Sequence, residues 1–507
     1  MAKINRRQFL ALSAAGAGTA ILASCRQKEA SYSQVRSNSA LDLSQLHQSS
    51  TGLLELDLEA SESLVNLGGK RANLLTYNGQ IPAPRLEAKP GDRVRIHFTN
   101  KLSQPTNLHY HGLHIPPTGK ADNIFLHINP GEKFTYEFDI PQNHPPGTFW
   151  YHPHLHGLVA EQLFGGLAGL FIVRGDLDEI PEIKAAQEEF LVLQDFALDR
   201  DGRRMGSRHM SLMMGREGEE IAVNGQMNPS FSFPANGLLR LRILNASPSR
   251  FYRLSLENHP FYQIATDGHF LREPIEVSEL LLTPGQRADV LVKGEQPKAA
   301  VRSTSREPGQ YRLLNLPYDR GSMGMMGGRG MMHGNDRDTT TTLATLNYES
   351  AVKSTRRTPD LAEDERALPN KIASISKLPE PVRVRRFELN HGMSPAVGMA
   401  FLINGKPYNG DRRIDTQVRL NTVEDWELIN TGVMDHPFHL HVNSFQVISR
   451  NDRPESIPAW RDTVLVPRGE TVRIRIRFED FIGKTVYHCH ILDHEDLGMM
   501  GILELLA

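Results

Sequence analysis

The sequence Gly483-Lys484-Thr485-Val486-Tyr487 runs directly into His488-Cys489-His490, close to the end of this 507-residue chain. A glycine followed by β-branched and aromatic residues is typical of a β-strand that begins at a turn. Successive side chains of a strand point to opposite faces, so His488 and His490 share one face and Cys489 lies on the other. Two metal sites could therefore meet at this strand, one on each face.

Beyond this strand, the chain carries two more side chains that bind soft metal ions. They are His494 and, further on, Met499. A thiolate, imidazoles and a thioether together suit copper better than zinc, magnesium or calcium. Cys489, His494 and Met499 provide part of a trigonal blue-copper site with a weak axial thioether, and the missing ligand is a second histidine. The rest of the chain must supply it.

The Gly-led strand belongs to a unit that occurs three times, a pattern that is best recognised before single elements are assigned. Each unit has an Asn-Gly turn, an alternating strand that ends in asparagine, a Pro-Gly or Pro-Arg-Gly turn, and a Gly-led strand. The Asn-Gly turns are Asn78-Gly79, Asn224-Gly225 and Asn404-Gly405; the Asn-ended strands are 94–100, 239–245 and 426–430; the proline turns begin at Pro130, Pro284 and Pro467; the Gly-led strands begin at Gly147, Gly309 and Gly483.

Alternation of apolar and polar residues along these strands indicates that one face of each is buried. Short strands, frequent turns and 39% hydrophobic residues favour an all-β protein. We therefore predict three consecutive Greek-key β-sandwich domains over residues 51–180, 185–347 and 382–507. Residues 348–381 are predicted to be a linker, and a Gly/Met-rich insert in the second domain, residues 321–336, is expected to be poorly ordered.

Histidines are concentrated at equivalent places in the first and third repeats, whereas the second repeat has none at either place. The four clusters are His109-Tyr110-His111, His152-Pro153-His154, His436-Pro437-Phe438-His439-Leu440-His441 and His488-Cys489-His490. One His-x-His pair is weak evidence, but four at repeat-equivalent positions indicate a metal centre between the first and third domains, held in register by the second. We expect His114 and His156, which lie beside these motifs at a different spacing, to contact ligands rather than bind metal.

Charge and cysteine content argue against two other classes of protein. The formal net charge is -2 and no basic patch is interleaved with aromatic residues, so nucleic-acid binding is not indicated. The two cysteines, Cys25 and Cys489, both lie in other motifs, so a disulfide framework is not expected.

Residues 1–25 are typical of an export signal. Asn5-Arg6-Arg7-Gln8-Phe9-Leu10 precedes an apolar run, which predicts twin-arginine export rather than a membrane span. The ending Leu22-Ala23-Ser24-Cys25 resembles the lipobox of bacterial lipoproteins, in which the cysteine is lipidated. Residues 26–50 would then be a polar tether in a periplasmic or cell-envelope protein; a plain cleaved signal is the alternative.

These motifs, which span nearly the whole chain after the signal, resemble the three-domain multicopper oxidases of the laccase and copper-efflux-oxidase type. The resemblance implies cupredoxin-like domains and four copper ions: one type 1, one type 2 and a coupled type 3 pair. It implies that the type 1 copper is bound by His436, Cys489, His494 and Met499. The type 2 copper would be bound by His109 and His439, and the type 3 pair by His111, His152, His154, His441, His488 and His490.

The resemblance also implies a reaction. A substrate would be oxidised one electron at a time at the type 1 copper, and dioxygen would be reduced to water at the trinuclear cluster. Protons must reach that cluster, and the family places acidic proton donors at positions similar to those of Asp122 and Glu495. A solvated or helix-capping carboxylate is the alternative interpretation of either residue.

The Gly/Met-rich insert, residues 321–336, suggests a candidate substrate. Five methionines lie between Met323 and Met332, next to His333. Thioethers favour Cu(I), which suggests oxidation of Cu(I) in copper tolerance. The insert is shorter than in typical copper-efflux oxidases, so phenols and aromatic amines remain candidate substrates, and a simple Gly/Met loop is the alternative.

A non-catalytic copper-binding protein of the cell envelope is the alternative function. A protein that only stores copper does not need a dioxygen-binding cluster that is joined covalently to a blue-copper site. We therefore expect a monomeric enzyme that uses dioxygen together with a small-molecule reductant or Cu(I).

Overall fold

The computed structural model describes residues 45–206, 209–235, 237–294, 309–321, 339–349, 367–394, 398–411 and 413–507. The predicted export signal, most of the predicted tether and all but the first residue of the predicted insert lie outside the described residues. Leu46–Gln48, inside the predicted tether, forms a strand of the first sandwich. None of the described helices is both long and apolar enough to cross a membrane.

Strands dominate the described residues, which confirms the all-β prediction. The first part of the chain forms β1 (Leu46–Gln48), β2 (Leu53–Leu67), β3 (Lys70–Tyr77), β4 (Arg85–Ala88), β5 (Arg93–Asn100), β6 (His109–His111), β7 (Lys133–Asp139), β8 (Gly147–His152) and β9 (Gly169–Val173). The middle part forms β10 (Gln187–Phe196), β11 (Glu220–Val223), β12 (Ser230–Pro234), β13 (Leu238–Asn245), β14 (Tyr252–Leu256), β15 (Phe261–Thr266), β16 (His269–Val277), β17 (Leu280–Leu282), β18 (Arg287–Lys293), β19 (Gln310–Leu316) and β20 (Thr341–Glu349).

The last part forms β21 (Arg383–Ser394), β22 (Gly398–Ile403), β23 (Thr416–Arg419), β24 (Thr422–Asn430), β25 (His436–Leu440), β26 (Phe445–Arg450), β27 (Arg453–Pro454), β28 (Trp460–Arg461), β29 (Thr463–Val466), β30 (Thr471–Phe478), β31 (Gly483–Cys489) and β32 (Met500–Leu506). The described α-helices are short: α1 (Val159–Phe164), α2 (Pro181–Ala185), α3 (His209–Met214) and α4 (Leu492–Asp496), with a 3-10 helix at Asp176–Glu179.

Each part of the chain forms two sheets. Their strand orders are β1-β4-β9-β8-β6 with β3-β2-β5-β7, β11-β10-β13-β18-β15-β16 with β12-β20-β19-β14-β17, and β22-β21-β24-β30-β26-β27 with β23-β32-β31-β25-β29. The same arrangement recurs: a parallel pair (β2 with β5, β10 with β13, β21 with β24) is extended by an antiparallel strand (β7, β18, β30). This repetition, with its non-consecutive neighbours, confirms three successive Greek-key sandwiches.

The asparagines of the repeat explain why the three units fold alike. Asn78, Asn224 and Asn404 have φ of 53°, 53° and 54° and are followed by glycines that also have positive φ, as a tight two-residue turn requires. Their side-chain oxygens each accept a backbone N–H from the neighbouring strand at 2.8 Å. The asparagines that end the strands are buried. Each donates to two backbone carbonyls, one of them 4 or 5 residues further along the chain and the other 28 to 37 residues further along.

Alternating residues fill the core of each sandwich. Along β5, Val94, Ile96 and Phe98 are buried while the residues between them are partly exposed. Separate apolar clusters occupy the first, second and third sandwiches. In the predicted linker 348–381, the described part also packs, since Ile372 is buried and its N–H donates to the carbonyl of Arg272.

Ion pairs of two buried arginines in the second sandwich are bonded to the first sandwich through Thr148. Arg240 and Arg242 lie on β13 and are buried. Arg240 Nη2 donates to Asp289 Oδ2 and Arg242 Nε donates to Glu188 Oε1, both at 2.7 Å. Thr148, on β8 of the first sandwich, donates to Asp289 Oδ1 at 2.7 Å. A buried charge that loses its partner is costly, so this interface depends on each member of the network.

We predict that Glu188→Gln lowers the free energy of unfolding by about 3 kcal/mol near neutral pH, measured by urea titration. Burial alone would raise the pKa of Glu188, but Arg242 and Arg174 outweigh it and lower the pKa from 4.5 to about 2. A lowered folded-state pKa adds stability above pH 4.5 that is lost as pH falls toward 2, so the wild type and the variant should converge over that window.

Glu189→Gln is the matched control, because burial raises the pKa of Glu189 and its charge is therefore penalised in the folded state. This variant should not lose stability at neutral pH. A difference between wild type and Glu188→Gln that stays constant throughout the acid window would contradict the prediction.

Candidate metal centre

His436, Cys489 and His494 come together in the third sandwich. His436 begins β25, Cys489 ends β31 and His494 lies in α4. Cys489 Sγ lies 3.4 Å from His436 Nδ1 and 3.8 Å from His494 Nδ1, and these two nitrogens are 3.3 Å apart. Met499 is fully buried in the same apolar cluster, and its backbone N–H and C=O bond to His494 and Cys489. The side chains predicted for a blue-copper site therefore lie on neighbouring elements.

The eight other predicted histidines form a second group between the first and third sandwiches. They are His109, His111, His152, His154, His439, His441, His488 and His490, all of them buried. Strand β6 pairs with β8 and places His109 opposite His152, and β25 pairs with β31 and places His439 opposite His488. Across the interface, the ring of His109 stacks on His441 and the ring of His111 on His439, with centroids 3.9 and 3.8 Å apart.

Ring nitrogens without hydrogen-bond partners indicate what this group can bind. Among the described residues, the buried nitrogens that lack a partner include His109 Nε2, His111 Nδ1, His152 Nε2, His439 Nε2 and both nitrogens of His490. The Nε2 atom of His488 lies 3.1 Å from Nε2 of both His154 and His441. A buried polar atom without a partner costs roughly 1–3 kcal/mol. Imidazole nitrogens that converge in this way are suited to binding metal ions such as copper.

Hydrogen bonds on the far side of the rings set which nitrogen is free. His109, His152, His439 and His488 donate from Nδ1 to Asp122 Oδ1 and to the carbonyl oxygens of Pro153, Asp462 and Cys489 at 2.8–2.9 Å. These four rings therefore present Nε2 to the interior. His111 is reversed: Nε2 lies 3.1 Å from Asp462 Oδ1 and Nδ1 is free. Such outer contacts fix the tautomer of a metal-binding histidine.

Burial keeps the imidazoles of His152 and His436 neutral and available as ligands. It lowers the pKa of His152 and of His436 to about 3. Burial also raises the pKa of the Cys489 thiol. A thiolate at this position therefore needs a neighbouring cation, which is the role that a bound metal fills.

The two predicted proton donors are both buried, which contradicts the alternative of solvated carboxylates. Asp122 accepts from His109 Nδ1 and from the backbone N–H of Tyr110 at 2.9 Å. Glu495 Oε1 lies 3.0 Å from His156 Nδ1, while Oε2 is buried without a partner. Burial raises the pKa of both carboxyls to about 8.

His114 and His156 were expected to lie beside the ligands. His156 contacts Glu495, as described above. His114 Nδ1 bonds to the carbonyl of Val442 at 2.9 Å, and Val442 directly follows His441. Each of these contacts is made with the residue that directly follows a proposed ligand, His494 or His441.

Three residues of this region were missed from the sequence. Asp462 contacts His111, Arg287 pairs with Asp462, and Gly285 faces His490. Arg287 and Gly285 belong to the second sandwich, which carries none of the predicted ligands. The Pro-Gly turn of the second repeat could have suggested Gly285, but no local pattern reveals an ion pair between distant residues.

The fold and the ligand groups define a copper-dependent oxidoreductase. Sequence models of the multicopper oxidase family match residues 59–178, 189–304 and 379–504. The chain therefore belongs to the multicopper oxidase family.

The chain is similar to proteins that carry different functional names. Multicopper oxidase mco of Staphylococcus aureus is 28% identical over 442 residues, covering 85% of this chain and 84% of that protein. The solved structure of a Campylobacter jejuni multicopper oxidase, described as a metallo-oxidase, is 32% identical with a TM-score of 0.75, covering 90% of this chain and 92% of that one. Cell division protein FtsP of Xenorhabdus nematophila is 29% identical over 444 residues, covering 86% of each chain.

We predict that Gly285→Ala disturbs the histidine group. Gly285 has φ of 83°, and an added Cβ would lie 2.8 Å from the His490 ring. The positive φ costs about 1 kcal/mol for alanine, and the overpacking adds roughly 1–3 kcal/mol. Urea titration of the copper-free protein measures the loss of stability, and copper analysis measures the effect on binding.

Gly131→Ala is the matched control, because Gly131 occupies the equivalent turn of the first repeat. It has φ of 82°, and an added Cβ meets no atom within 4 Å. Equal losses of stability in the two variants, together with unchanged copper content, would contradict contact between Gly285 and His490.

Proposed function

We propose that this chain binds four copper ions and couples one-electron oxidation of a substrate to the reduction of dioxygen to water. The observation that carries this proposal is the convergence of unpartnered ring nitrogens from the first and third sandwiches beside the His436, Cys489 and His494 group. His436, Cys489, His494 and Met499 would hold the type 1 copper, and His109 and His439 the type 2 copper. The type 3 pair would be held by His111, His152, His154, His441, His488 and His490.

When bound, the coppers would accept electrons singly from the substrate and supply four of them to one dioxygen. The backbone of His488-Cys489-His490 joins the two ligand groups through consecutive peptide units. Alternation along β31 directs the cysteine to one group and the two histidines to the other. Burial of both groups excludes bulk water from the space between the sandwiches.

We infer that Cu(I) is a physiological substrate. Gly321, the first residue of the predicted insert, pairs with Met434 through a β-bridge. The backbone N–H of Asp435 donates to the carbonyl of Arg320 at 2.8 Å. Met434 and Asp435 directly precede His436, so the insert is attached beside the proposed type 1 ligands. Its five methionines offer thioethers, which favour Cu(I).

A second group of methionines, Met205, Met210, Met213 and Met214, gives weaker support. Met213 is buried in the apolar cluster of the third sandwich, which agrees with a packing role. Met205 is exposed. The name of the Campylobacter relative, a metallo-oxidase, is consistent with a metal substrate. The solved structure of a laccase-like multicopper oxidase from Ochrobactrum, described as active towards lignin model compounds, is consistent with an organic substrate instead.

The non-catalytic alternative is a copper-binding protein without turnover. Similarity to proteins named for cell division is the observation that favours this alternative. The complete set of buried histidines in this chain favours catalysis, because copper storage does not require two ligand groups joined through one strand.

We also propose export through the twin-arginine route and a lipid anchor at Cys25. The support is the sequence of residues 1–25, which lie outside the described residues. A copper-oxidising enzyme at the cell envelope would fit a role in copper tolerance.

The substrate proposal is tested by oxygen uptake with Cu(I), a phenol and an aromatic amine. Deletion of residues 322–334 keeps Gly321 and its contact with Met434. We expect kcat/KM for Cu(I) to fall at least about tenfold, or ~1.4 kcal/mol, with little change for the phenol. Replacing the five methionines with leucine keeps the length and should have the same effect. Equal changes for Cu(I) and the phenol would contradict a copper-capturing insert.

Proton delivery is tested with Asp122→Asn and Glu495→Gln. Both carboxyls are buried beside the proposed ligands, and Asp122 also orients His109. Each variant should slow dioxygen reduction by roughly 100-fold, the usual range for a positioned acid. The blue absorption should persist, because neither residue is a proposed type 1 ligand. Unchanged turnover in both variants across the pH range would remove these residues from proton delivery.

A further inference from the structure

Arg287 of the second sandwich lies at a junction of all three sandwiches. It is fully buried. Its Nε donates to the carbonyl of Thr148 in the first sandwich at 3.0 Å. Its two terminal nitrogens donate to both oxygens of Asp462 in the third sandwich, at 2.9 and 2.6 Å. A two-pronged pair of this kind fixes the plane of the carboxylate as well as its position.

The oriented carboxylate of Asp462 meets His111. Oδ1 lies 3.1 Å from His111 Nε2 and also accepts from the Thr463 hydroxyl at 2.9 Å. The backbone carbonyl of Asp462 accepts from His439 Nδ1 at 2.8 Å. Asp462 therefore contacts two stacked rings from two sandwiches, one through its side chain and one through its backbone.

The contact with His111 decides which ring nitrogen can bind metal. An ionised carboxylate can only accept hydrogen bonds, so His111 must donate from Nε2 to Asp462 Oδ1. The lone pair of the His111 ring is then on Nδ1. His111 Nδ1 is the unpartnered nitrogen. On four neighbouring rings, described above, the free nitrogen is Nε2 instead.

We propose that Asp462, held by Arg287, is a positioning residue that selects the Nε2-protonated tautomer of His111. The second sandwich would thereby act on the copper cluster without supplying a ligand. Gly112 makes the close approach possible, because a Cβ there would lie 2.5 Å from both Arg287 Nη2 and Asp462 Oδ2. This inference rests on the proposed binding of copper by His111.

The test is Asp462→Asn, which keeps the shape of the side chain. The amide oxygen can accept from only one terminal nitrogen of Arg287. Nη1 also donates to the carbonyl of Gly285 at 3.0 Å, whereas Nη2 makes the shorter bond to Oδ2 at 2.6 Å, so we expect the oxygen at the Oδ2 position and the amide NH₂ at the Oδ1 position, facing His111 Nε2. His111 must then accept at Nε2 and carry its proton on Nδ1, so the metal-binding lone pair is lost. In serine proteases, the same replacement behind the catalytic histidine leaves the geometry intact and gives the wrong tautomer.

Asp267→Asn is the matched control. Asp267 Oδ1 accepts from the backbone N–H of Arg287 at 3.2 Å and lies 3.7 Å from Arg287 Nη1. The control therefore replaces a buried carboxyl group beside the same arginine. Its hydrogen bonds go to backbone N–H groups of Arg287 and Thr463 rather than to a histidine ring.

Three readouts are used: histidine ring ¹⁵N NMR of the copper-free protein, copper content after equilibration with buffered copper, and the EPR signals of the bound copper. In Asp462→Asn we expect the His111 ring proton to move from Nε2 to Nδ1. Copper affinity of the cluster should fall roughly 10- to 100-fold while the blue type 1 signal persists. Asp267→Asn should keep the wild-type tautomer and copper content.

An unchanged His111 tautomer in Asp462→Asn would overturn the proposal, as would equal copper loss in the two aspartate variants. If Asp462→Asn does not fold, Arg287→Lys takes its place. A single ammonium cannot hold both oxygens of Asp462, so we expect a copper loss between those of the wild type and Asp462→Asn. Wild-type copper binding in Arg287→Lys would overturn the proposal. Absence of cluster copper in the wild type would contradict the proposed function instead, and the NMR measurement would still decide the tautomer.

Discussion

Buried imidazole nitrogens that converge on one another, several of them without a hydrogen-bond partner among the described residues, are the constraint on which the rest of this structure depends. Nε2 atoms of three histidines meet at 3.1 Å, and other ring nitrogens nearby have no partner. Such an arrangement is unfavourable in a neutral protein interior and favourable around a cation. The surrounding structure therefore has to hold the rings in place before and after the metal binds.

The three sandwiches divide this task. The first and third supply histidines from equivalent strand pairs, β6 with β8 and β25 with β31, so a duplicated pattern becomes two halves of one site. The second supplies Arg287, which bonds to both other sandwiches, and Gly285, which leaves room for His490. A domain without ligands is thus part of the metal centre, because it positions groups that ligand residues contact.

Most of the fold could be predicted from local sequence patterns. The Asn-Gly turns and the strands ending in asparagine were predictable because turn conformation and alternation are set within a few residues, although the asparagine side chains also bond to distant parts of the chain. The candidate ligands were predictable because they cluster along the chain. Asp462 and Arg287 were not, since an ion pair across 175 positions leaves no periodic signal. Strand β1 was not predictable either, because it has only three residues and pairs in parallel with a strand distant in the sequence.

The central claim, that two ligand groups on one strand bind a blue copper and a trinuclear cluster, is tested most directly by copper analysis combined with EPR on the copper-loaded full chain. Four coppers per chain are expected, of which two give EPR signals, one of type 1 and one of type 2, because a coupled type 3 pair is silent. A single copper per chain, or four coppers that are all visible by EPR, would contradict the trinuclear cluster.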